Sequence, residues 1–122
     1  MSVLVVDDDA AIRLLCKVNL ELDGYRVAEA ASLGEARSVL GSEPVEVVLL
    51  DLNIGSERGL DLLGELRRDR PEVAVALLTG SSQERSPTDE AAADAVIPKP
   101  FELDELGRTV RRLAEGSSRA RV

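Results

Sequence analysis

Five polar residues follow directly on short apolar runs, and their side chains suit phosphoryl chemistry with a metal ion. They are Asp7, Asp8, Asp51, Thr79 and Lys99. Carboxylates bind hard cations such as Mg²⁺, whereas a hydroxyl and an ammonium group bind anionic oxygens. Side chains of these types, brought together, would hold a divalent cation and a phosphoryl group side by side. The residue types therefore indicate metal-assisted phosphoryl transfer.

The apolar runs that precede these residues have the length and composition of buried β-strands. They are "SVLVV", "VEVVLL", "VAVALL" and "DAVIP", and a further strand, "YRVAEA", follows the first helical pattern. In an open parallel sheet, ligands bind beyond the carboxyl ends of the strands. The five polar residues are therefore expected to meet at one edge of one sheet.

Helical patterns alternate with the strands, and each carries apolar residues at helical spacing. The residues that this spacing predicts to face the core are Ile12, Leu15, Cys16 and Leu20, then Ala36, Val39 and Leu40, then Leu60, Leu63 and Leu66, and finally Leu103, Leu106, Val110 and Leu113. One of the acids at positions 7 to 9 is expected to cap the first helix. A helix of about two turns is expected to begin at Ser86-Pro87.

Five βα units in series predict an α/β fold of the flavodoxin-like (βα)5 type. This is a three-layer sandwich around a central parallel five-stranded sheet in the order 2-1-3-4-5. The switch point of that order lies between strands one and three, which predicts that Asp7 and Asp8 lie beside Asp51. Residues 1–115 are expected to form one domain, and residues 116–122 a flexible tail or the start of a linker.

The amino-acid composition disfavours several classes of function. The formal charge of −8 over 122 residues disfavours direct binding of nucleic acid, which needs clustered Lys and Arg. The single cysteine, Cys16, excludes an internal disulfide and fits a reducing cytosol, where we expect a buried, unreactive thiol. No stretch approaches the roughly 18–20 apolar residues of a spanning helix, so we expect no membrane association and a cytoplasmic location.

Asp51 differs from the other acids because it ends the central strand, with Thr79 and Lys99 on the neighbouring strands. A phosphoryl group on Asp51 would have the metal on one side and Lys99 on the other, with Thr79 donating a hydrogen bond to a third oxygen. An aspartyl phosphate is a recognised covalent intermediate. Taken singly, an acid here also fits a helix cap or a turn, a threonine is usually a helix cap, and Lys99 would more often be a solvated surface residue. Five such residues in matched positions favour a common site.

This constellation resembles the receiver domain of two-component response regulators, from Val3 to about Leu113. The elements that carry the resemblance are the Asp7-Asp8 pair, Arg13 in the first helix, Asp51 in "LLDLNI", Gly59 eight residues later, Thr79 in "LLTG", and "KPF" at Lys99–Phe101. The resemblance implies that a histidine kinase or histidine phosphotransfer protein supplies the phosphoryl group. It also implies a signalling module rather than an enzyme.

The resemblance further implies how the site is used. Asp8 and Asp51 would ligate Mg²⁺ (or Mn²⁺) directly, together with the backbone carbonyl of Asn53, while Asp7 would hold a metal-bound water. Lys99 would pair with the phosphoryl group, and the Lys99-Pro100 peptide bond would be cis. Downstream, a partner protein or an output domain would read the signal, and the protein would be a monomer or a phosphorylation-linked dimer.

The sequence departs from the family's usual pattern at four points. Gly55 stands where proline is frequent, which predicts a looser loop. Val96 replaces the aromatic switch residue, Ala92 replaces a frequent glycine, and the interval between the threonine and the lysine is somewhat shorter. These departures predict an atypical switch in which the Gly80–Ser86 loop becomes ordered and a small helix is repositioned, without rotation of a ring.

Other functions fit parts of the pattern. A degenerate receiver would bind partners without phosphorylation. A haloacid-dehalogenase-like phosphatase also uses a strand-end Asp, a Thr or Ser and a Lys, but it generally needs a second Asp two residues after the nucleophile, where this chain has Asn53. A flavin- or nucleotide-binding relative would need a glycine-rich phosphate cradle, which the first βα turn lacks. The complete set of acceptor residues favours a phosphorylated receiver.

Overall fold

Strands and helices alternate along the chain, as the apolar patterns predicted. The structure, a computed structural model, describes residues 2–80 and 92–120, with side chains described as far as residue 116. Its elements are β1 Ser2–Val6, α1 Ala10–Leu22, β2 Arg26–Ala30, α2 Leu33–Ser42, β3 Val47–Asp51, β4 Asn53–Ile54, β5 Glu57–Arg58, α3 Gly59–Asp69, β6 Ala74–Thr79, β7 Ala95–Pro98 and α4 Leu103–Ala120.

Five of the strands form one parallel sheet in the order β2-β1-β3-β6-β7. The two remaining strands of the described residues, β4 and β5, pair with each other in an antiparallel hairpin directly after β3. Counted without this hairpin, the sheet has the predicted order 2-1-3-4-5, so the flavodoxin-like fold is confirmed. The hairpin itself replaces the loop that the sequence predicted between Asn53 and Arg58.

Helices cover both faces of the sheet because the central strands are apolar on both sides. Every residue of β3 and β6 is buried. Alternate residues of β1 enter different cores: Leu4 and Val6 pack with α2 and α3, whereas Val3 and Val5 pack with α1 and α4. This alternation follows the two-residue period of a strand and produces the three layers.

The first helix departs from its predicted packing at one position. Cys16 and Leu20 are buried as expected, but Leu15 is 47% exposed. It belongs to an exposed apolar stripe with Leu14, Val18 and Leu22, here named the α1 stripe. Successive helical residues are about 100° apart, so Leu15 and Cys16 cannot both face the sheet squarely. The prediction that Leu15 points inward is therefore wrong.

The end of the last helix also differs from the prediction. The helix was expected to finish near Glu115, but α4 continues to Ala120. Whether residues 116–122 form a tail or the start of a linker stays a prediction. Once a helix of several turns exists, each further residue adds a backbone hydrogen bond at small cost, even through weak helix formers. The predicted helix at Ser86-Pro87 and most of the Gly80–Ser86 loop lie outside the described residues.

None of the helices in residues 2–80 and 92–120 is long and apolar enough to cross a membrane.

Candidate functional site

The register of the parallel sheet brings the predicted site residues to one edge. Val6 lies opposite Leu50, so Asp7, the next residue after β1, lies beside Asp51 at the end of β3. On the other side, Asp51 lies opposite Leu78 of β6. Thr79 is the next residue and the last one of that strand. The common edge therefore results from strand register, as the sequence predicted.

Thr79 and Lys99 are joined directly at the same edge. The backbone N–H of Lys99 donates to the carbonyl oxygen of Thr79 at 2.6 Å. Thr79 is buried, whereas the Lys99 side chain keeps 24% of its surface exposed. A buried hydroxyl and a partly exposed ammonium group thus flank the acids from neighbouring strands.

Three carboxylates form a compact cluster at this edge. One oxygen from each of Asp7, Asp8 and Asp51 lies within 4.8 Å of the others. Asp7 and Asp51 are only 1% and 5% exposed, whereas Asp8 faces solvent. Burial, followed by the charge of Asp7, raises the pKa of Asp51 above its usual value, although Lys99 and the Asn53 backbone oppose this shift.

Lys99 is the cation that compensates these buried charges. Its Nζ lies 2.9 Å from Oδ2 of Asp7 and 3.5 Å from Oδ2 of Asp51. Burial acts to lower the pKa of Lys99, but the hydrogen bond to Asp7 and the charges of both carboxylates outweigh it, so its pKa is raised. The lysine is therefore charged at neutral pH and bridges two of the three acids.

The cluster fits a small divalent cation. Oδ1 of Asp51 is buried and has no hydrogen-bond partner among the described residues, which is costly for a carboxylate oxygen unless another group binds there. Hard oxygen donors of this kind suit Mg²⁺ or Mn²⁺. Asp7, Asp8 and Asp51 can therefore hold a metal ion. Asn53 begins β4, two residues beyond Asp51, and the role of its carbonyl as a ligand stays a prediction.

Two further contacts support the acids from α1. Asp9 is the N-cap residue of this helix and accepts from the backbone N–H of Ala11 at 2.9 Å, which confirms the predicted capping acid. Arg13 donates to the backbone carbonyl of Asp7 at 2.6 Å and to the Glu29 carboxylate of β2 at 3.3 Å. From the sequence, Arg13 was identified only through the resemblance. Its contact with Glu29 could not be predicted, because it depends on how β2 is placed beside β1.

The segment after Asp51 folds back onto the strand that carries it. The N–H of Gly59 donates to the carbonyl of Leu52 at 2.7 Å. In the β4–β5 hairpin between them, Gly55 donates its N–H to Oδ2 of Asp8 at 3.0 Å. Gly55 is thus tied to an acid of the cluster, a contact that the predicted looser loop did not include.

Comparison with known proteins agrees with this geometry. The family model of the response regulator receiver domain matches residues 3–111. The chain belongs to this family. It is therefore a receiver domain of the kind found in two-component response regulators.

Curated relatives of this receiver domain include longer transcriptional regulators. The phosphate regulon transcriptional regulatory protein PhoB of Pseudomonas aeruginosa is 32% identical over 99% of this chain and 56% of its own length. The transcriptional regulatory protein KdpE of Mycobacterium tuberculosis is 36% identical over 85% of this chain and 46% of its own length. The receiver domain thus spans about half the length of these relatives.

Solved structures show the same architecture. The response regulator TrrA of Thermotoga maritima, solved in complex with Mg²⁺-BeF, has a TM-score of 0.83 at 36% identity and covers 92% of this chain and 97% of its own. A CheY-like receiver domain protein of Methanospirillum hungatei has a TM-score of 0.87 at 28% identity, with 98% and 97% covered.

One feature implied by the resemblance and one departure from the family's pattern lie beside the site. The Lys99-Pro100 peptide bond is cis, as implied. Val96, in the position of the aromatic switch residue, lies opposite Leu77 of β6 and packs, partly buried, against the core formed with α2 and α3. Residues 81–91, which precede this strand, lie outside the described part of the chain.

Proposed function

We propose that this receiver domain accepts a phosphoryl group on Asp51 in a Mg²⁺-dependent reaction. The observation that carries the proposal is the buried Oδ1 of Asp51, which has no partner among the described residues, next to two other carboxylates and with Lys99 within 3.5 Å of the other oxygen. Such an oxygen is available to a metal ion or to an incoming phosphorus atom. The structure of the relative TrrA with Mg²⁺-BeF supports the same use of the site.

The reaction is an in-line displacement at phosphorus. A carboxylate oxygen of Asp51 attacks the phosphorus of a phosphohistidine, a P–O bond forms and the P–N bond breaks. The electron pair of the broken bond stays on the imidazole nitrogen, which takes up a proton from solvent. A bound divalent cation supplies positive charge for the oxygens of the transferred group. Lys99 pairs with another of these oxygens, and Thr79 donates a hydrogen bond.

We propose a histidine kinase or histidine phosphotransfer protein as the donor, approaching over α1. The α1 stripe supports this proposal, because it exposes four large apolar side chains on a helix that begins directly after the acids. Val18→Asp should then reduce phosphotransfer from such a donor while leaving phosphorylation by a small-molecule donor intact. Ser38→Asp, at an exposed position of α2, adds the same single negative charge and is the matched control.

Intact-mass measurement with acetyl phosphate tests the central proposal. Incubation with Mg²⁺ should add the mass of one phosphoryl group, with acetate as the leaving group. The adduct should be absent without metal and in Asp51→Asn, and present in Asp69→Asn, which makes the same change at an exposed carboxylate. No adduct in the wild-type protein, together with no binding of beryllofluoride, would favour a degenerate receiver that binds partners without phosphorylation.

We further propose that phosphorylation is read out without an aromatic switch. Val96 has a short, branched side chain with little freedom to rotate, so repositioning of the segment between Gly80 and Val96 is the alternative means of signalling. Hydrogen exchange with and without beryllofluoride tests this readout. Unchanged protection across residues 80–96 would refute it. The phosphorylated state would then be recognised by a partner protein or by a linked output domain. Light scattering tests whether phosphorylation also causes dimerisation.

A further inference from the structure

One hydrogen bond links the acid cluster to the segment that follows Asp51. The backbone N–H of Gly55 lies 3.0 Å from Oδ2 of Asp8. Asp8 belongs to the β1–α1 connection, and Gly55 to the turn of the β4–β5 hairpin, so the bond joins two separate loops. A hydrogen bond to an ionised carboxylate is stronger and more directional than one between neutral groups.

The hairpin fixes the direction of this N–H. Ile54 pairs with Glu57, which leaves Gly55 and Ser56 as a two-residue turn. Gly55 has φ +62°, and no residue other than glycine has a positive φ in the described chain. A turn with a positive φ only at its first position follows the type II′ pattern, which favours glycine there. The turn geometry therefore aims the N–H at Asp8.

The hairpin is in turn anchored to the body of the domain. Ile54 is buried in the core formed with α2 and α3. Glu57 accepts a hydrogen bond at 3.1 Å from the backbone N–H of Leu33, the first residue of α2. Gly55 is thus flanked by two anchored residues of the hairpin. The looser loop expected from glycine at this position stays a prediction.

We propose that the backbone N–H of Gly55 positions the Asp8 carboxylate for the metal ion, which rests on the proposed Mg²⁺-dependent function. The bond occupies one lone pair of Oδ2 and restricts rotation of an otherwise exposed side chain, so the remaining lone pairs stay directed at the cluster. Hydrogen bonds that orient metal ligands in this way commonly change metal affinity by about 10–100-fold when they are removed. Gly55 is therefore a positioning residue rather than a catalytic one.

Two substitutions at position 55 test the role of the N–H. A Cβ atom at Gly55 would meet nothing within 4 Å, so glycine is favoured here by the positive φ of +62° and not by lack of space. Proline, in contrast, lacks the N–H and has φ fixed near −65°. Asparagine keeps the N–H and tolerates a positive φ. The pair Gly55→Pro and Gly55→Asn therefore separates the hydrogen bond from the mere presence of a side chain.

Mg²⁺ titration by calorimetry on the full chain is the decisive experiment. We expect Gly55→Pro to raise the Kd for Mg²⁺ about tenfold or more, and Gly55→Asn to keep the wild-type value. Phosphorylation of the proline variant by acetyl phosphate should recover at saturating Mg²⁺, because Asp51, Thr79 and Lys99 are unchanged in it. Equal Mg²⁺ affinity in the proline variant and the wild type would overturn the positioning role while leaving the proposed phosphorylation intact.

A measurement on the metal-free protein distinguishes loss of the hydrogen bond from distortion of the turn by proline. In the metal-free protein, the amide proton of Gly55 should be shifted downfield and protected from exchange, and both properties should be lost in Asp8→Ala. An amide signal that does not respond to Asp8→Ala would overturn the proposal. A wild-type protein that binds no Mg²⁺ at all would overturn it together with the proposed function.

Discussion

Gly59 approaches the backbone of the strand that carries Asp51 so closely that no side chain fits there. A Cβ atom at this position would lie 2.0 Å from the carbonyl oxygen of Asp51, 3.0 Å from its carbonyl carbon and 3.2 Å from the Cα of Leu52. All three are backbone atoms, so no side-chain rotation relieves the clash. Either the start of α3 or the end of β3 must move.

The cost of Gly59→Ala follows from this overlap. Ordinary contacts of a Cβ atom begin near 3.4 Å, so the carbonyl oxygen is too close by well over one ångström. Overpacking of buried sites typically costs about 1–3 kcal/mol, and a clash against backbone belongs at the upper end. For a domain of this size, each kcal/mol lowers Tm by about 4 °C. We expect a loss of roughly 8–12 °C.

The same movement should impair phosphorylation, since the displaced carbonyl belongs to Asp51 itself. Thermal unfolding followed by circular dichroism measures the first effect, and the initial rate of acetyl phosphate labelling measures the second. Gly64→Ala is the matched control, because Gly64 is exposed in the same helix and a Cβ atom there would meet nothing within 4 Å. The control should gain up to about 1 kcal/mol from helix propensity. A Gly59→Ala protein as stable and as active as Gly64→Ala would refute the steric reasoning.

Three further predictions concern contacts outside the acid cluster. Burial, followed by the nearby carboxylate of Asp7, raises the pKa of Cys16 to about 12, so the native thiol should not react with a disulfide reagent at pH ~8 and should react fully in denaturant. Arg67 donates to Asp94 at 2.6 Å and to two backbone carbonyls, so Arg67→Lys should lower the free energy of unfolding by about 1–3 kcal/mol in urea titrations. The hydrogen bond from Arg37 lowers the pKa of Glu65. The small stabilisation from this pair is therefore present above the pKa of Glu65 in the unfolded chain and is lost as the pH falls through its lower pKa in the folded protein. The stability difference between wild type and Arg37→Gln should therefore vanish in acid melts.

Strand order and the positions of the acids were accessible from the sequence because both depend on local patterns. Apolar runs of strand length that alternate with helical spacing admit few topologies, and in a parallel sheet every strand ends at the same edge. The strand order therefore brings together Asp7, Asp51 and Thr79, whatever the detailed packing of the core side chains. The capping of α1 by Asp9 is equally local, since its acceptor oxygen and donor N–H groups lie within three residues.

Contacts between distant loops depend on backbone geometry that no pattern contains. The exposure of Leu15 depends on how far α1 is rotated about its axis when it packs on the sheet. Because α1 carries apolar residues on two of its sides, the sequence alone does not determine this rotation. The pairing of Lys99 with Asp7 as well as Asp51 required the distances across the strand ends. The Gly55 contact required the positive φ of one turn.

What the sequence determined by itself is thus the chemistry: which side chains stand at the strand ends, and that the edge they share suits a metal ion and a phosphoryl group. Only the tertiary structure decided how those side chains are held, through Arg13 on the carbonyl of Asp7, Gly59 against Asp51 and the N–H of Gly55 on Asp8. The reason is physical. Hydrophobic periodicity specifies which elements form and which way the strands run, whereas hydrogen bonds between loops depend on ångström-scale positions that are fixed only when all elements pack together.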